Sequence, residues 1–480
     1  MLDELTVGST YTSLVEARVT AEADVVVAGG GTAGCVAAIA AARNGASVLL
    51  VERQGYLGGM MTGGNAGLTK YIVHEQSQAA YREVLADLEK APASVQVIGG
   101  LPMEITDRLI ETGAGIGTHS TAGSYVFTSQ ADFKALLLAM MEEAGVELML
   151  HSLVVDVIKD GGCVHAVITE GKSGRQAILG NLFVDATGDA DLAAKAGAPY
   201  TVGVGPHDAS AAAGIPIGTT QSMGALFRVG NVDMERCFAY LRHHPDQFHV
   251  QHFALLGLEE AYESFRRGEM MTMVIGVSSH RFQIYNTPIP GVFILLTSSL
   301  PGDGLSVDDL TRAEISISRQ VHDRVKALRE ELPGFESCSL VDCPEIGVRE
   351  TRHVQGEHVL SIEDVLLGTE FPDSIGRGCH PIDVSPVPEA VKNHPLPPRW
   401  SFTIPYGSLV AKGVDNLLLA GRCISASHEA FGCTRPTVQC MVTGEAAGTA
   451  AAMCARAGVR ARELDRGALR GQLAAQGVVL

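Results

Sequence analysis

The chain has 480 residues, 46% hydrophobic and 19% charged, which is enough apolar content for large buried cores and more than one domain. A formal net charge of −18 repels phosphate backbones and argues against nucleic-acid binding. The ten cysteines show no CxxC, CxxCH or zinc-finger spacing, which argues against structural zinc, c-type haem and ferredoxin clusters. No Asn-x-Ser/Thr sequon is present, and the first twenty residues lack the apolar stretch of a signal peptide, so a cytoplasmic protein is expected.

In chain order, residues 24–28 (Asp-Val-Val-Val-Ala) read as a buried parallel strand. Gly29 to Gly31 break it, residues 32–44 form an Ala-rich helix stopped by Gly45, and residues 47–51 form a second apolar strand ending at Glu52. Together they make a β-α-β unit. Residues 25–42 carry no charge over 18 positions, the length of a membrane-span candidate, but Gly29, Gly30, Gly31 and Gly34 inside that stretch favour strand, turn and buried helix.

A glycine-rich loop follows at 56–67, then a helical segment at 76–88 and an amphipathic helix at 132–144. Apolar runs at 146–150, 153–159, 163–170, 177–180 and 181–187 predict strands, with turn signals at Asp160-Gly-Gly and Lys172-Ser-Gly, and so a β-meander. Residues 200–400 hold most of the histidines and a helix at 307–332. Beyond them, 416–421 reads as a strand and 436–456 as a helix of small residues. The expected fold is α/β, a discontinuous Rossmann-type domain (1–199 and 401–480) with an inserted mixed α+β substrate or cap domain (200–400).

Gly29-x-Gly31-x-x-Gly34 lies between strand and helix, where a dinucleotide fingerprint belongs. Gly29 permits the tight turn, Gly31 lets backbone approach a pyrophosphate, and Gly34 lets helix pack on strand. The helix N-terminus offers bare N–H groups to the phosphates. Glu52, 18 residues past Gly34, is placed to accept hydrogen bonds from ribose hydroxyls.

Five segments, 21–53, 55–64, 184–198, 346–366 and 416–452, resemble in order and spacing the FAD-dependent oxidoreductases of the glutathione-reductase-2 type, related in plan to fumarate reductase and succinate dehydrogenase flavoproteins. The resemblance implies bound FAD, with the Ala186-Thr-Gly188-Asp189 turn returning beside it, Gly421-Arg422 approaching its ribityl or pyrophosphate part, and Pro436 opening a helix aimed at the flavin ring. Thr437 and Val438 at that helix start would stabilise charge at flavin N1 and C2=O. The remaining expected contacts are Thr32, Ala33, Arg53, Gly58, Gly59, Met60 and Val154. The loop Leu57-Gly-Gly-Met-Met-Thr62 lacks the His of covalent flavoproteins, so FAD is expected to be non-covalent. No second GxGxxG follows a strand, which argues against a built-in NAD(P)H domain, and Cys338-x4-Cys343 lies too far downstream for a catalytic dithiol.

Hydride chemistry at a flavin needs a proton-transfer group, and a carboxylate substrate needs a cation. Three clusters supply them: Arg349-Glu-Thr-Arg352-His353, Cys379-His380-Pro-Ile-Asp383, and His428 with Tyr406. His428 is the preferred proton-transfer residue, since it lies between Gly421-Arg422 and Pro436 in sequence; His380, Arg352 and Tyr406 follow. His243, His244, His249 and His252 resemble a metal set without a matched carboxylate pattern, so no metal is expected. The expected activity is hydride transfer between a small organic substrate and flavin N5, with oxygen, a quinone, a nicotinamide or a protein as electron acceptor. The rivals are reduction of an activated C=C bond, RNA modification, and a non-catalytic FAD-binding protein. No membrane partner is expected; a homo-oligomer is left open.

Overall fold

The computed structural model describes residues 14–69, 72–74, 94–117, 125–249, 257–278 and 280–480. The predicted helix at 76–88 lies outside them, as does His252.

The β-α-β unit is present: strand β1 (Arg18–Ala28), helix α1 (Thr32–Arg43) and strand β2 (Val48–Val51). Val25, Val26, Val27 and Ala28 are fully buried, as a parallel strand covered on both faces requires. They pair in parallel with Val48–Val51 on one side and with the strand Gly174–Asp185 on the other. The sheet has seven strands. Glu147–Met149, β2, β1, Gly174–Asp185, Cys163–Gly171 and Leu153–Asp160 lie in that order, and Leu417–Leu419 pairs alongside Gly174–Asp185.

The meander differs from the expected one in two ways. The runs at 177–180 and 181–187 are not separate strands. They form the single strand Gly174–Asp185, antiparallel to Cys163–Gly171 and parallel to β1. The strand Glu147–Met149 joins β2 in parallel and stays out of the meander.

The helix Thr437–Ala457 packs across α1 through glycines. A Cβ on Gly444 would lie 2.3 Å from the Ala33 carbonyl oxygen, and one on Gly448 would lie 2.0 Å from that of Ala37. The two helices therefore touch backbone to backbone. A Gly448→Val substitution must push them apart and is expected to cost about 3 kcal/mol or more, read as a lowered thermal midpoint. A midpoint equal to wild type would refute that contact. Pro436 stands at the N-cap, one position before the first helical turn expected for it, with φ −58° and ψ 154°.

A second sheet has six antiparallel strands, in the order Phe248–His249, Thr272–Val277, His280–Asn286, Phe293–Leu300, Met223–Gly230, Ser339–Asp342. The helix Val307–Glu331 packs on this sheet through buried Ala313, Ile317, Val321, Val325 and Leu328, spaced one turn apart along most of its length. Met271 and Met273 belong to this second core.

The buried apolar residues of this second core run from Met223 to Cys338. Leu360, Ile362, Val365, Ile375, Trp400 and Phe402 pack instead with the first core. On that packing we propose that the inserted unit ends before Val354 rather than at 400, the boundary expected from sequence.

Candidate functional site

At the C-terminal end of β1 the chain turns sharply. Gly29 adopts φ +97°, and a Cβ there would sit 2.5 Å from the Ala186 carbonyl oxygen. Gly34 faces Gly29 so closely that a Cβ would lie 1.8 Å from its oxygen. Gly31 is different: a Cβ there meets no protein atom within 4 Å. The Glu52 carboxylate accepts hydrogen bonds from Gly30 N (2.6 Å) and Gln54 N (2.7 Å), tying the end of β2 to the loop.

The facing wall comes from distant sequence. The Arg422 guanidinium pairs with Asp189 Oδ1 at 3.0 Å, while its Nη1 is buried without a hydrogen-bond partner. Asp189 also accepts from Thr351 Oγ1 at 3.0 Å. Gly421 N donates to Thr443 Oγ1, and Thr437 Oγ1 donates to the Gly67 carbonyl at 2.8 Å, fixing the start of the helix Thr437–Ala457 against the glycine loop.

These walls enclose a cavity of about 740 Å³. It is lined by Gly29, Gly31, Thr32, Ala33, Glu52, Arg53, Gly59, Met60, Ala186, Gly188, Asp189, Gly421, Arg422 and Thr437. It continues past them to Arg349, His380, Asp383 and Arg435, and to Phe127, Tyr285, Leu226 and Leu296. Residues 24–473 match the family model described as FAD dependent oxidoreductase.

The chain belongs to the FAD-dependent oxidoreductase family.

Family membership brings FAD as cofactor, and two observations test its fit. Gly31 leaves open space where a pyrophosphate must approach backbone, and Arg422, fixed through Nη2 by Asp189 Oδ1, puts a cationic side chain on the same cavity wall. Both fit. A digeranylgeranylglycerophospholipid reductase of Methanospirillum hungatei is 30% identical over 167 residues, 35% of this chain and 38% of that protein's length. Among solved structures, a geranylgeranyl bacteriochlorophyll reductase-like protein of Thermoplasma acidophilum aligns over 95% of this chain and 84% of its own, at 13% identity and TM-score 0.46. The p-nitrophenol 4-monooxygenase of Pseudomonas putida aligns over 92% and 82%, at 12% identity and TM-score 0.42.

The other expected cofactor residues lie behind the wall. Gly34 packs under Gly29, Gly58 has φ +97° against Thr62, Val438 is buried in its helix, and Val154 sits in a strand paired with Thr169.

The catalytic candidates separate more sharply. His380 lines the cavity; His428, Tyr406 and Arg352 do not. Tyr406 is fully buried and donates its hydroxyl to the Ala461 carbonyl at 2.8 Å. Arg352 is spent on the Asp189 carbonyl (2.7 Å) and Asp191 Oδ1 (2.9 Å).

His428 is fully buried, with Nδ1 2.7 Å from Glu350 Oε1 and Nε2 3.2 Å from the Pro386 carbonyl. Both partners are acceptors, which favours the doubly protonated ring. Burial alone would lower its pKa, but the hydrogen bond and charge of Glu350 outweigh burial and raise it. Glu350 Oε1 also meets His353 Nε2 at 2.8 Å, and Oε2 accepts from Gln221 N at 3.0 Å. Burial opposes its charge, but the two imidazoles pull its pKa down to about 2. His428 thus belongs to a buried ion cluster, and chain reach alone misplaced it.

Arg435 was not singled out from the sequence, although its position next to Pro436 marks the helix start. Among the histidines considered for metal, His244 stacks on Tyr240 at 3.9 Å. Among the described residues no group of three or more His, Cys, Asp or Glu could hold a metal ion, and no helix is long and apolar enough to cross a membrane. Cys338 and Cys343 are free thiols.

Proposed function

We propose that the protein is a dehydrogenase or oxidase acting on a small organic substrate, with His380 as the residue that moves the proton. What supports this is one cavity running without interruption from the pyrophosphate-type glycine turn at Gly31 to His380, Arg349 and Arg435. FAD, when bound, supplies a two-electron carrier that exchanges hydride at N5.

The chain does the rest. Gly29, Gly31 and Arg422 would hold the phosphate and ribityl region, and Glu52 the ribose end. The N-terminus of the helix Thr437–Ala457 would offer a positive dipole end to the flavin. The glycine loop at 57–62 carries no histidine, which fits non-covalent binding. His380 Nδ1 faces the Pro381 carbonyl at 2.7 Å, so its hydrogen lies there and Nε2 is the nitrogen that exchanges a proton. The Asp383 carboxylate beside it lies below its usual pKa range. Burial works against its charge, and Arg435, His380 and Arg349 together overcome that.

His380→Gln is expected to retain FAD and to slow anaerobic flavin bleaching by an active substrate about 100-fold. Unchanged single-turnover rates would remove His380 from the reaction. The second reading is reduction of an activated C=C bond, supported by the match to a curated reductase. Recolouring of chemically reduced protein by an enoate, without bleaching of oxidised protein by its saturated counterpart, favours it. For oxidation of a substrate, oxygen, a quinone, a nicotinamide or a protein partner is the candidate electron acceptor; for C=C reduction, a reduced nicotinamide or a protein partner is the candidate donor.

A further inference from the structure

Arg349 is a largely buried cation on the cavity wall; its guanidinium donates to the Ser222 carbonyl, and among the described residues no carboxylate forms an ion pair with it. Its neighbour Arg435 is committed: Nε and Nη2 donate to the Asp383 carbonyl at 3.1 and 2.7 Å, and Nη2 pairs with Asp383 Oδ2 at 2.6 Å. Burial, and then repulsion from Arg435, lowers the pKa of Arg349, with Asp383 a partial offset. A desolvated guanidinium in that position gains most from one added negative charge, and its planar fork matches a carboxylate.

The wall beyond Arg349 is shaped for a flat body. Ser222 immediately precedes the strand Met223–Gly230, where Gly224 and Gly347 bond backbone to backbone at 2.6 and 3.2 Å. Both glycines line the cavity and bring no side chain of their own, and the flexible Met60 thioether lies against this stretch, its Cε 2.9 Å from where a Gly347 Cβ would stand. Two residues on, Leu226 packs against the Phe127–Tyr285 pair, whose ring centroids are 4.4 Å apart. From Ser222 to Leu226 is about 13 Å along a strand. The Phe127 ring in turn abuts Gly67, where a Cβ would lie 2.8 Å from it, and Gly67 is the residue held by Thr437 at the helix start. The aromatic pair therefore lies at the ring end of the cavity.

We propose that the substrate is an organic monocarboxylate with a flat, unsaturated body: its carboxylate sits on Arg349 and its body runs over Gly224 and Gly347 towards Phe127 and Tyr285. This rests on the reading of the cavity as an FAD site, and the test separates the two.

FAD-loaded protein is titrated with trans-cinnamate, with the uncharged cinnamamide and with acetate, following the flavin absorbance. Cinnamate is expected to bind at least about tenfold more tightly than either. Arg349→Met is expected to remove the preference of acid over amide while keeping the yellow colour. Arg349→Lys, which keeps charge but not the fork, is expected to retain part of it, and serves if the Met variant fails to fold. Phe127→Ala is expected to weaken acid and amide alike. Equal binding of acid and amide, or a preference that survives Arg349→Met, overturns the carboxylate site; acetate binding as well as cinnamate overturns the flat-body site. Wild-type protein that stays colourless with added FAD overturns the cofactor reading itself, whereas yellow protein indifferent to ligand charge overturns this inference alone.

Discussion

Gly31→Ala is expected to fold like wild type and lose FAD, whereas Gly34→Ala, three residues away, is expected not to fold. The two glycines share one motif and differ in surroundings. Gly31 has φ −76° and ψ −164°, ordinary extended backbone open to any residue. A methyl there touches no protein atom within 4 Å, so the apoprotein's melting point should not move. The methyl stands in the cavity where a pyrophosphate must meet bare backbone. Holding it away should weaken FAD binding on the order of 100-fold, or about 3 kcal/mol. A methyl on Gly34 lies 1.8 Å from the Gly29 oxygen, and neither the strand end nor the first helical turn can yield. Apoprotein melting and FAD fluorescence titration check the pair. Wild-type FAD affinity in Gly31→Ala would place the phosphates elsewhere.

The second large effect belongs to Glu350. It is 1% exposed, contacts two imidazoles through one oxygen and takes a backbone N–H through the other. Glu350→Ala strips buried His428 and His353 of their shared carboxylate, leaving His428 only the Pro386 carbonyl and the nearby Glu429, and should cost about 3–5 kcal/mol. Glu350→Gln keeps the shape but removes the charge, and should change the pH dependence of stability.

The sign follows from the two directions of shift. The Glu350 pKa is depressed, so its contribution is present above its ordinary 4.5 and is lost as pH falls towards about 2. The His428 pKa is raised, so its contribution is present below its ordinary 6.5 and is lost as pH rises through the folded value. The cluster therefore stabilises most between pH 4.5 and 6.5. Urea unfolding at pH 3.5, 5.5 and 8.5, the pH values bracketing that window, should show a maximum in wild type that is flattened in Glu350→Gln. An identical profile in both proteins would show that the cluster carries no net charge linkage.

The β-α-β unit was legible because every cue for it is local: a β-branched run, glycines at fixed offsets, an Ala-rich helix and an acid at the end of β2. Most of the cavity wall followed, since backbone turns at Ala186–Asp189 and Gly421-Arg422 point wherever the chain goes. Side-chain direction was not legible. His428 is near the ring by chain reach, but Ser427 caps the short helix His428–Thr434 and the imidazole turns inward to Glu350. Tyr406 likewise faces the core. Arg352 opens the strand Arg352–Val354 and pairs with Asp191, whereas Arg349 lies in the irregular stretch before it and bonds the Ser222 carbonyl. Only Arg349 meets the cavity. The six-stranded antiparallel sheet was only partly legible: Thr272–Val277, His280–Asn286 and Phe293–Leu300 are joined by short turns, but Met223–Gly230 pairs across long separations with Phe293–Leu300 and Ser339–Asp342.

The crossing of α1 and Thr437–Ala457 sets a timetable for synthesis. The first helix leaves the ribosome roughly four hundred residues ahead of the one whose glycines it must touch. Until then its alanine face has no cover, the central sheet lacks Leu417–Leu419, and the coenzyme has only half a berth. Capture of FAD thus waits for residues 417–457 to emerge, and nascent protein stalled before Leu417 would depend on chaperones to shield that face.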